Sequence, residues 1–157
     1  PNNVALLKGR MKYQTIGPDK LNQLRHARMF RTVEDIEKHM KRHAAILRPK
    51  FETVEKELQN QLSGTGIARW TTPRGGYFIS LYVLEGCAKR VEQLCANAGM
   101  ILTPAGATYP YGNDPKDSNI RIAPSYPSVE EIEKASEVLA LAVRYAALEK
   151  LLADKEN

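Results

Sequence analysis

One apolar stripe restricts the fold more than any other feature of the chain. It consists of Val33, Ile36, Met40, Leu47, Phe51, Val54, Leu58 and Leu62. Most steps are three or four residues, and the step from Met40 to Leu47 is seven. That periodicity puts every member on one face of a long amphipathic helix. Thr32 stands at its start as a good N-cap, with Glu34 and Asp35 in the first turn, where the helix dipole favours negative charge. Pro49 lies inside the stripe. Its ring removes one backbone donor and crowds the preceding turn, so a kink is expected there. Such a helix either runs from one structural body to another or is simply bent, and the pattern leaves both readings open.

The remaining elements follow from local signals. Pro18 and Asp19 suit a first helical turn, and a helix is expected over about 18–31. The segment "SGTG" (63–66) ends the long helix. "IARWT" (67–71) and "GYFISLYV" (76–83) read as strands joined by "TPRGG". A helix over about 87–98 is ended by Gly99, and "MILTPAG" (100–106) reads as the start of a third strand. "ATYPYGNDPKDSN" (107–119) is a long loop, "IRIAP" a fourth strand, and a final helix covers about 129–152. Ser128 and Glu131 have capping-box spacing at its start. The expected class is α/β, α+β by layer. It has a small antiparallel or mixed sheet of about four strands, helices covering it, and a long kinked helix ahead of it.

Composition narrows the function classes. A chain of 157 residues, 43% hydrophobic and 26% charged, suits one domain with a real core or a piece of something larger. The first residue is Pro1 and not Met, so the chain is expected to be processed or cut from a longer protein. The opening "PNNVALLKGR" is not a secretory signal, and no stretch approaches the ~20 apolar residues of a membrane span. The net charge of +5 is spread through helices also rich in Glu, as in "EDIEKHMKRH". No basic run is interleaved with aromatics, so no nucleic acid partner is expected. Cys87 and Cys95 are eight apart, neither a zinc pattern nor a disulfide framework, and free thiols in a reducing cytoplasm are expected.

Few residues carry a chemical signature. His39 and His43 are spaced i, i+4, but no third ligand completes a recognisable metal set. No nucleotide-binding glycine motif, P-loop or nucleophile elbow is present. Gly75 and Gly76 mark a tight turn before a strand. No lysine sits in an apolar run that would lower its pKa and make it a nucleophile. Arg121 is the exception. It lies between Ile120 and Ile122, so strand alternation turns it, with Ala123, away from a core that holds the isoleucines. A guanidinium held by a strand just ahead of the restrained Pro124–Pro127 turn is a well-positioned carboxylate clamp. A surface arginine paired with some glutamate is the local alternative.

Three stretches in order, "RWTTPRGGYFISLYV", "CANAGMILTPAGATYPYG" and "DSNIRIAPSYPSVEEIEKASEVLA", resemble the C-terminal part of fold-type I aminotransferases, which depend on pyridoxal 5′-phosphate. "TIGPDKLNQLRHARMF" and "HAAILRPKF" are similar to the MocR-type branch, or subgroup Ic, which includes aspartate aminotransferases. The resemblance covers about residues 13–150 and rests on the order and spacing of motifs that are individually weak.

The resemblance implies a division into residues 1–32, a remnant of the large cofactor-binding domain, and 33–157, the small C-terminal domain. It places Arg121 on the arginine that grips the substrate α-carboxylate. Gly75, Gly76 and Tyr77 fall at the substrate entrance, and Tyr109 and Tyr111 on a loop that could line it. Gln14–Pro18 would reach toward a neighbouring subunit of a homodimer. The implied substrates are an amino acid, aspartate or another dicarboxylic one, and a 2-oxo acid. The resemblance also shows a gap. The Schiff-base lysine, the aspartate at the pyridine nitrogen and the phosphate-binding residues belong to a large domain upstream, and Lys8, Lys12 and Lys20 do not stand in a matching motif. The chain is thus expected to hold no catalytic residue and to be inactive alone. The other implied reading is the effector-sensing domain of a MocR-type transcriptional regulator, which a winged-helix module upstream of Pro1 would mark.

Overall fold

In the computed structural model, which describes residues 2–15 and 17–156, the elements run α1 (Asn2–Met11), α2 (Lys20–Met29), α3 (Val33–Leu62), β1 (Ala68–Trp70), β2 (Ile79–Val83), α4 (Ala88–Asn97), β3 (Asn119–Ile122) and α5 (Val129–Glu156). A short 3-10 turn at Pro110–Gly112 interrupts the loop before β3. The chain divides into two compact units, residues 1–43 and 44–157.

Capping chemistry sets the helix ends. Asp19 precedes α2 and its carboxylate accepts from the Asn22 N–H at 3.0 Å. Thr32 caps α3: its hydroxyl accepts from Asp35 N–H at 3.2 Å, and Asp35 accepts in return from Thr32 N–H at 3.0 Å. The Ser128–Glu131 pair does the same for α5, at 3.2 and 2.7 Å. Each arrangement satisfies amide donors that the helix itself leaves unpaired. The α3 helix continues through Pro49, and the Thr53 hydroxyl donates to the Pro49 carbonyl at 2.8 Å.

The core lies in the unit 44–157. The sheet is antiparallel in the order β1-β2-β3. Ile79 pairs with Ile122 and Leu81 with Ile120. These residues, with Val83, form its buried face. Val54, Leu58 and Leu62 of α3, Val91 and Cys95 of α4, and Leu139 and Val143 of α5 join the same cluster. The predicted stripe on α3 is therefore buried only in its C-terminal half, because Val33, Ile36 and Met40 are exposed. Cys87 and Cys95 are free and buried, and burial pushes the Cys95 thiol up to about 11, which keeps it protonated and unreactive.

The class stands as α+β, with differences in detail. Among the described residues the sheet has three strands and not about four. "MILTPAG" has the right pattern, but Met100 N–H donates to Cys95 O at 2.9 Å and Ala105 N–H to the Glu92 carboxylate at 2.7 Å. Two of its donors are thus taken by α4, and it packs against the core without joining a ladder. The strand expected from residue 76 begins at Ile79, since Gly76 turns the chain at φ +88. Helix α1 was not anticipated by any capping signal.

Candidate functional site

The face of the sheet away from the core is polar. Ser80 stands opposite Arg121, and Tyr82 opposite Asn119. Arg69 faces Tyr82 from β1, its guanidinium 3.9 Å from the ring centroid. Asn119 ties this face together. Its amide donates to the Ser80 hydroxyl at 2.8 Å, and its carbonyl accepts from Thr108 at 2.6 Å.

Strand alternation acts on Arg121 as the sequence requires. Ile120 and Ile122 are buried on one side, Arg121 is half-buried on the other, and Ala123 is exposed. The guanidinium carbon lies 4.5 Å from the Phe78 ring centroid, a cation–π contact. Arg121 Nε is buried and has no hydrogen-bond partner, the one such side-chain atom among the described residues. Leaving a buried donor unmet costs about 1–3 kcal/mol. Native structures pair nearly all such groups with protein or ordered water, and a bound carboxylate oxygen would also satisfy this one.

The other expected residues are placed less uniformly. Gly76 and Tyr77 lie on the turn that leads into Phe78, and Tyr77 is exposed. Tyr109 is half-buried, and its N–H donates to Gly106 O at 2.9 Å. Tyr111 is fully exposed. Within "QTIGP", Ile16 lies outside the described residues, and the Thr15 hydroxyl donates to Gly17 O at 2.8 Å.

Sequence reading missed the residues that hold Arg121 in place. Phe78 is visible in "GGYF" but gave no sign of facing β3. Asp114 is buried in the loop and accepts from the N–H groups of Lys116, Ser118 and Asn119 at 3.0, 2.8 and 2.9 Å. The signal was there: an Asp just before Pro115 is a turn former that bonds its own following backbone. Burial pushes its carboxyl up, but bonds from the Ser118, Lys116 and Asn119 amides outweigh this and hold it below the ordinary 3.8. A lowered native pKa means that the stabilisation is whole above the ordinary value and drains away as pH falls through the native one. Asp114→Ala should cost about 2 kcal/mol at neutral pH, with the deficit against wild type shrinking in thermal melts as the pH falls below the ordinary carboxylate range.

The His39 and His43 rings meet at a tilt with centroids 4.4 Å apart, and Arg42 approaches His39 Nδ1 at 3.2 Å. Among the described residues no group of three or more His, Cys, Asp or Glu is placed to hold a metal. No helix there is long and apolar enough to cross a membrane. No lysine among the described residues is buried. The half-buried Lys50 donates to Ser125 O and Tyr126 O, and the half-buried Lys150 pairs with Asp154 at 3.4 Å. Among the described residues there is thus no desolvated amine of the kind that forms a Schiff base, and these residues do not fit the covalent anchoring of pyridoxal phosphate.

Comparison with known proteins gives a consistent picture. A family model described as aspartate amino-transferase matches residues 1–155. An aspartate aminotransferase of Corynebacterium glutamicum is 50% identical over 134 residues, 85% of this chain and 31% of that protein. The crystal structure of an aspartate transaminase from the same species superposes with a TM-score of 0.85 at 48% identity, over 90% of this chain and 34% of that one. A Corynebacterium diphtheriae structure, provisionally named an aminotransferase, gives a TM-score of 0.87 at 48% identity, over 94% and 36%. The chain spans about a third of the length of the relatives it matches.

Proposed function

The chain belongs to the aspartate amino-transferase family, and from that premise we propose that it is the substrate-carboxylate-binding C-terminal part of a pyridoxal phosphate-dependent aminotransferase of fold type I. In this reading residues 33–157 form the small domain, and 1–32 are a remnant of the large domain. The whole protein moves an amino group between an amino acid, with aspartate the first candidate, and a 2-oxo acid. It acts in the cytoplasm as a homodimer. The Schiff-base lysine and the cofactor-binding residues come from the parent's large domain. The apolar side chains that residues 1–43 leave exposed, Leu6, Leu7, Leu21, Val33 and Met40 among them, support a large-domain partner.

The observation that carries the proposal is the buried, unpartnered Arg121 Nε on the polar face of β3. A guanidinium matches a carboxylate with two parallel N–H···O bonds, and such charge-assisted pairs are strong and directional. Phe78 restrains the fork from one side, so little freedom is lost on binding. The clamp then sets where the amino group and Cα of the substrate stand, which is the positional part of catalysis. The chemistry on those atoms is the cofactor's.

Arg121→Lys tests this in the full-length protein. It keeps the charge and loses the fork. KM for aspartate should rise about ten- to a hundred-fold while kcat changes only a few-fold. Wild-type KM values for both the amino acid and the 2-oxo acid would refute the assignment.

A further inference from the structure

A side chain of α3 fastens the turn that follows Arg121. Lys50 Nζ donates to Ser125 O at 2.9 Å and to Tyr126 O at 3.3 Å, across 75 and 76 residues of sequence. An ammonium is a compact point charge with three donors, and two consecutive carbonyls converge on it only while the turn keeps one shape. Pro124 and Pro127 flank these residues and supply no N–H, so the turn has fewer donors of its own with which to fix itself. Arg121 depends on this backbone. Its Nε has no partner within the chain, and its guanidinium rests on Phe78. Its direction is therefore set by β3, which is held on one side by the Ser80 pairing and runs at its end into the turn that Lys50 holds.

We propose that Lys50 is a positioning residue for Arg121. By gripping the Ser125 and Tyr126 carbonyls it fixes the end of β3, and with it the angle at which the guanidinium meets a carboxylate. The proposal rests on the clamp reading of Arg121 given above.

The test uses the full-length protein, with aspartate as the varied substrate and Arg121→Lys measured alongside. Lys50→Met keeps the length of the stem and removes the donors. KM should rise about ten-fold with kcat within about two-fold of wild type, and Lys50→Arg, which restores donors, should bring KM back to within about three-fold. A merely structural role would lower the melting temperature and leave KM alone. Wild-type KM in Lys50→Met beside an impaired Arg121→Lys overturns the positioning role and leaves the clamp standing. Wild-type KM in both variants overturns the clamp as well. Should Lys50→Met fail to fold, Lys50→Gln, which can serve only part of the pair, must still raise KM, and a wild-type value there overturns the proposal.

Discussion

On the clamp reading proposed above, Arg121→Ala should lower kcat/KM of the full-length protein by about 100- to 1,000-fold, a loss of roughly 3–4 kcal/mol in transition-state binding. The truncation removes the charge and both arms of the fork. A substrate carboxylate entering the site would give up its water and find no partner, which is the expensive way to break a desolvated charge pair. The loss should fall mostly on KM, because the clamp acts on the substrate before and during the reaction alike. Stability should hardly move. Arg121 Nε has no hydrogen-bond partner among the described residues, so its removal breaks no hydrogen bond at that atom. Steady-state kinetics beside a thermal melt would show the split. A variant that lost both activity and stability would mean that the arginine is structural.

The second large effect is expected at Gly106. It is buried, with φ +87, and a Cβ built there would collide with the backbone carbonyl of Gly112. Two penalties combine in Gly106→Ala. The side chain adopts a left-handed conformation that costs about 1 kcal/mol or more, and the loop must open to make room. Backbone cannot step aside as a flexible side chain can. A total of about 3–5 kcal/mol is expected, read as a fall in melting temperature or denaturation midpoint. The damage would spread. The loop that Gly106 closes also carries Thr108, bonded to Asn119, and Asp114, which holds the Ser118 and Asn119 amides. Asn119 opens the strand that bears Arg121. Amide exchange should therefore quicken at Ser118–Ile120 in this variant before the Leu58 core is affected. Uniform loosening of the whole unit would show that the loop does not hold β3 locally.

These expectations differ in how they could be found. Arg121 was legible because its neighbours on the chain are isoleucines and a strand alternates its faces. The Thr32–Asp35 and Ser128–Glu131 caps were legible because both partners lie within one helical turn. Phe78 and Lys50 were not. Each acts on residues tens of positions away, and nothing nearby in sequence marks the partner. The fourth strand failed for a related reason. "MILTPAG" has a strand's pattern, yet a strand exists only through a neighbour, and Glu92 and Cys95 of α4 took the amide donors at its two ends instead.

What the sequence determined by itself is therefore local and periodic: the long helix through Pro49, its caps, the turn glycines, and which side of β3 would carry the arginine. Those features depend on dihedral preferences, hydrogen bonds a few residues apart, and the regular spacing of apolar groups. Tertiary structure decided the number of strands, the burial of only the second half of the α3 stripe, and the surroundings of Arg121. Packing brings together residues such as Lys50 and Ser125, and the energy of their contacts depends on where the folded backbone puts them. The guanidinium could be read from one short stretch. Its unmet Nε, the Phe78 ring beside it and the fastened turn behind it exist only once α3, β2 and β3 have met.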